Sequence, residues 1–154
     1  MLSRALGILI LCAAAAPSFG QETKCDTGAF REVVASASAS INELHEKNSK
    51  LFQEYLRKLR AANNWSDAEY LMKATPFVKD ETTASLDAAN QSLLAKVQSL
   101  EAGAANSEAG RCAMLNELKA SMEKVVANTI AKWEHMLSKL LQASSTTLQA
   151  GVTQ

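Results

Sequence analysis

LNELKASMEKVVANTIAKWEHMLSKLL, residues 115–141, decides the fold. Leu115, Leu118, Met122, Val126, Ile130, Trp133, Leu137, Leu140 and Leu141 recur at steps of mostly three and four residues. That spacing gathers apolar side chains on one face of an α-helix. Neither glycine nor proline interrupts the run, so nothing in the backbone opposes a long helix. Upstream, Ser107 reads as its N-cap, with Glu108 in the first turn where the helix dipole favours an acid. Downstream, the pattern weakens into Ser144-Ser145-Thr146-Thr147, and residues 149–154 read as a frayed tail.

The same spacing occurs twice more. Val34, Ala37, Ile41, Leu44, Leu51 and Tyr55 form a seam flanked by Phe52, Leu56 and Leu59, which predicts a helix from about Thr27 to Ala62. Its bases Arg57, Lys58 and Arg60 come late, matching the dipole, and read as a solvated end rather than an anion site. Thr83, Leu86, Asn90, Leu93, Val97 and Leu100 predict another helix, with Thr75 as cap, Pro76 at its first position and Gly103 after its end. Between the two, Asn63-Asn64-Trp65 reads as a turn, and Ser66-Asp67-Ala68-Glu69 as a capping box opening a short helix to about Ala74. β-Hairpins need frequent turn residues, and these are missing. The fold expected is all-α: an up-down-up antiparallel three-helix bundle over residues 21–148, with a short extra helix at the crossover between the first and second long helices.

Residues 1–20 read as an address. Arg4 supplies a basic start, Ala5–Ala16 an apolar stretch of twelve, and Ser18-Phe19-Gly20 small residues before a cut at Gln21. The stretch is too short to span a bilayer. Removal leaves 134 residues with net charge −1, from a chain of 154 with 16 bases and 16 acids. Such balance removes the electrostatic case for nucleic acid. No helix shows the basic polar face that anionic lipid selects, so membrane association is not expected after cleavage. An exported chain with two remaining cysteines, Cys25 and Cys112, allows one intramolecular pairing. In an up-down-up bundle both lie at the base, so a disulfide is expected between them.

Catalytic chemistry finds no foothold. His45 and His135 lack the Glu-x-x-His spacing of bundle metal sites, and no Cys-x-x-Cys, Gly-x-Ser-x-Gly or glycine-rich phosphate loop occurs. The methionines Met72, Met114, Met122 and Met136 sit at helical spacing and read as core filling rather than copper ligands. No metal or cofactor is expected, and an enzyme rests on no motif. Asn64-Trp65-Ser66 and Asn90-Gln91-Ser92 are glycosylation sequons, the second on an inward seam where a glycan does not fit.

Helical rise supplies the functional lead. At about 1.5 Å per residue, Phe52, Tyr55 and Trp133 lie roughly 38–42 Å above the base. Phe77 starts at a similar height, and Trp65 and Tyr70 belong to the short helix beside it. These six aromatics gather at one end, either as a plug or as a partner or ligand surface. Asn48, Thr83 and Thr129 fall at one level and are expected to form a register-setting polar layer. The function expected is helix-mediated contact with a protein partner. The alternative is a carrier of a small apolar ligand or lipid at the aromatic end. The oligomeric state stays open.

Overall fold

The computed structural model describes residues 25–102 and 107–152. The expected signal segment 1–20 and the loop expected over 103–106 lie outside these residues. The described chain is all-helical: α1 (Thr27–Ala62), α2 (Asp67–Val78), α3 (Glu81–Ala102) and α4 (Glu108–Val152).

Local chemistry accounts for most boundaries. Asp26 caps α1 by accepting the Ala29 N–H at 3.0 Å. α1 stops at Asn63, and Asn64 then takes φ 53°, a left-handed turn that asparagine tolerates. The capping box at Ser66 is present. The Glu69 N–H donates to the Ser66 hydroxyl at 3.3 Å, and the Glu69 carboxylate accepts the Ser66 N–H at 3.0 Å. Ser107 accepts the Gly110 N–H at 3.1 Å and opens α4. That helix runs on through the Ser/Thr stretch to Val152, so the expected tail is helical over 149–152. Hydroxyls of Ser144, Ser145 and Thr146 donate back to carbonyls of Leu140 and Gln142, so these polar side chains are satisfied within the helix.

One boundary is corrected. Pro76 does not begin a helix; it lies inside α2, which continues to Val78. The Lys79 N–H still closes onto the Thr75 carbonyl at 2.9 Å, and the Thr75 hydroxyl donates to the Leu71 carbonyl at 2.7 Å. Phe77 and Val78 pack on the core, which holds this last turn despite the proline. The break falls at Lys79-Asp80 instead. Asp80 and Thr83 exchange bonds there, Thr83 N–H to the Asp80 carboxylate at 2.8 Å and Asp80 N–H to the Thr83 hydroxyl at 3.0 Å.

α4 is the common partner: α1 and α3 each pack along it, and α2 touches it near one end. Along α1, contacts climb together with α4, from Cys25 with Cys112, through Ala37 with Leu118 and Met122, to Leu59 with Met136 and Leu140. Along α3 they run the opposite way, Lys96 meeting Glu117 at 2.6 Å, Asn90 meeting Asn128 at 2.9 Å and Asp87 meeting Lys132 at 2.7 Å. Serving two neighbours, α4 buries a broad face. Val125, Met136 and Ser121 are buried, while Ile130 and Leu141, both on the expected seam, are exposed. On α1 burial likewise shifts from Leu51 and Tyr55 to the flanking Phe52, Leu56 and Leu59.

Candidate functional site

The aromatic end is built around Phe52, Leu56 and Leu59 of α1 and Met136 and Leu140 of α4. Leu140 is wholly buried. All six sequence-singled aromatics belong here: Phe52 lies within the cluster, and Tyr55, Trp65, Tyr70, Phe77 and Trp133 pack against it. The Trp133 and Phe52 rings meet edge-on at 6.4 Å, and His45 lies 5.7 Å from Trp133 on a tilted plane. α2 lies across this end with Tyr70, Ala74, Phe77 and Val78 inward. Its outer side carries Leu71 and Met72, 75% and 69% exposed.

Two polar clamps hold α2 in place, and neither is evident from sequence. Arg60, read as part of a solvated end, donates to the Trp65 carbonyl at 3.2 Å, pairs with Asp67 and lies 5.0 Å over the Tyr70 ring. It thereby bonds across the whole α1–α2 turn. The second clamp is Asp80, whose carboxylate meets His135 Nε2 at 2.6 Å and Lys139 Nζ at 2.5 Å. Lys139 also donates to the Pro76 carbonyl. The Lys139 ammonium, then the Thr83 N–H and His135, hold the Asp80 carboxyl well below the usual carboxylate range. Lys132, His135 and Lys139 recur on one face of α4 opposite Asp87 of α3 and Asp80 just before it. That complementary spacing was the available signal, but it becomes readable only once α3 and α4 are seen side by side. Glu69 is pushed down to about 2, by Lys73 first and then by the Ser66 N–H and hydroxyl.

Cys25 and Cys112 are disulfide-bonded, with Cα atoms 4.9 Å apart and a sequence separation of 87. Asn48, Thr83 and Thr129 spend their hydrogen bonds locally: Asn48 on the Leu44 carbonyl, Thr129 on that of Val125, and Thr83 on Asp80. None of these three crosses to another helix, whereas Asn128 donates to the Asn90 amide oxygen across α3 and α4, which occupies the second sequon's asparagine. Asn64 of the first sequon is exposed, with its Ser66 engaged in the capping box.

Among the described residues no group of three or more His, Cys, Asp and Glu is placed to hold a metal ion, and no helix is long and apolar enough to cross a membrane. The chain matches no family model, no curated protein and no solved structure.

Proposed function

We propose that this is an exported, non-enzymatic protein that works by helix-mediated contact with a protein partner, and that α2 presents the contact. The chain is read as an up-down-up bundle of α1, α3 and α4 with α2 as the short crossover helix. The observation that carries the reading is the adjacent pair Leu71 and Met72, more exposed than the other large hydrophobics of the described chain. A segment of about three turns, fixed at its start by Arg60 and at its end by Asp80 and Lys139, holds these side chains outward on a rigid base. Pre-organised apolar side chains reduce the ordering cost of binding, and methionine adapts to irregular partner surfaces. The aromatics beneath act as the support for this surface.

The test is site-specific photo-crosslinking in the native host. A crosslinker at Leu71 is expected to capture one protein in stoichiometric yield, and one at Leu94 of α3 is not. The double variant Leu71→Asp/Met72→Asp is expected to abolish capture while leaving helical content unchanged. Equal capture from both positions would overturn the assignment to α2.

A further inference from the structure

We propose that the opposite end of the molecule carries a binding groove for a single-chain fatty carboxylate. α1 and α3 lean on α4 far more than on one another, which leaves a furrow between them. Near the base it widens into a cavity of about 500 Å³. Phe30 and Val34 form one wall, Val97 and Leu100 the other, and Leu118 of α4 the floor. The floor is buried and belongs to the small apolar cluster of Ala37, Leu118 and Met122. Val34 on the rim is 42% exposed. Small-molecule sites have this character, mostly apolar walls of a few hundred Å³ with few polar groups.

Among the described residues the groove has a single ionisable lining group, Arg31. Among the described residues its guanidinium has neither hydrogen bond nor ion pair. This contrasts with Arg60, which is fully engaged across the α1–α2 turn. It contrasts also with the wider trough of about 790 Å³ on the other side of α1, which mixes Glu32, Lys119 and Glu123 with serines. An apolar furrow with the Arg31 guanidinium at its lip is complementary to an alkyl chain ending in a carboxylate. Guanidinium pairs with carboxylate through parallel hydrogen bonds, and the chain lies along the aliphatic and aromatic walls. The lining of α1 runs from Thr27 to Ala35, about 12 Å of helix, which accommodates a medium-length chain. The site is independent of the α2 contact and sits at the far end of α1 and α4 from it.

The experiment uses the disulfide-bonded chain lacking residues 1–20, with dodecanoate and dodecanol as probes in calorimetric titration. One dodecanoate per chain is expected, bound more tightly than the alcohol. Arg31→Gln is expected to weaken dodecanoate about five- to tenfold and leave dodecanol unchanged. Ala35→Trp, which puts an indole at the rim, is expected to abolish both, with Val34→Trp as the second filling variant and circular dichroism checking the fold. Leu71→Asp/Met72→Asp should bind dodecanoate as the parent does, which separates this proposal from the partner reading. No saturable binding, equal affinity for acid and alcohol, or binding that survives both filling variants would overturn the groove. Lysophosphatidylcholine binding that ignores Arg31→Gln would overturn the carboxylate assignment.

Discussion

The two ends of the molecule are stabilised in different ways. At the aromatic end, large side chains from α1, α2 and α4 fill the space between the helices, and Leu140 loses all contact with solvent. At the base, α1 presents Ala29, Ser36, Ala37 and Ser40, too small to fill comparable space. The buried cluster there shrinks to Ala37, Leu118 and Met122, and grooves remain on either side of α1. The Cys25–Cys112 bond sits at this thin end. Apolar burial stabilises in proportion to area, whereas a disulfide acts largely on the unfolded chain and needs little volume. The covalent link therefore stands where packing is weakest, and the base keeps open surface that the other end has closed.

The sharpest way to break this comparison is to cut the link. Closing a loop of this length contributes at most about 4.6 kcal/mol by chain entropy. Cys25→Ser/Cys112→Ser should lower the urea midpoint accordingly. Hydrogen exchange should show the first turns of α1 and α4 opening well before Phe52 and Leu140; uniform opening would show that the two ends are not distinct. Leu140→Ala should cost about 3 kcal/mol, since a wholly buried leucine leaves a cavity as well as losing transfer energy. The same assay on Val34→Ala at the base should register below about 0.5 kcal/mol. Comparable losses at the two sites would remove the contrast in packing.

Ser66→Ala should cost about 1 kcal/mol by removing the acceptor for the Glu69 N–H. Its effect should appear as faster exchange in α2 alone. The smallest effect is acid sensitivity confined to the aromatic end. Asp80 and Glu69 both have folded-state values below their ordinary ones. The stability they contribute is therefore full above about pH 4.5 and is lost as pH falls, for Glu69 through about 2. Both carboxylates are partly solvated, so screening keeps the contribution modest. Asp80→Asn should flatten the urea midpoint between pH 5 and 3 relative to the parent, and 0.5 M salt should flatten it further. An unchanged pH profile would remove Asp80 from the clamp.

Features legible in the sequence are those that one or two turns of chain decide. α1 spans Thr27–Ala62 as its apolar period predicts, and Ser66 and Ser107 cap helices through bonds three residues long. The cysteine pairing was equally accessible, because outside the expected signal segment the sequence offers Cys25 and Cys112 only each other. The inward face of α3, from Thr83 through Leu86, Asn90 and Leu93 to Val97, also follows the sequence, since that helix packs along one main neighbour.

Tertiary structure decided the rest, because the deciding contacts come from distant residues. A periodic stripe marks a helix face but not how many neighbours share it. α4 meets both α1 and α3, so its buried face widened to take in Val125 and Met136 and left Ile130 and Leu141 in solvent. Thr75-Pro76 carries a stronger local break signal than Lys79-Asp80. The helix nonetheless continued through Pro76, because Phe77 and Val78 had a core to pack on and Lys139, 63 residues away, met the Pro76 carbonyl. Asp80 acquires its role only because α4 brings His135 and Lys139 beside it. The groove at the base has no local signature either: it is the space left when two helices pack on a third and not on each other.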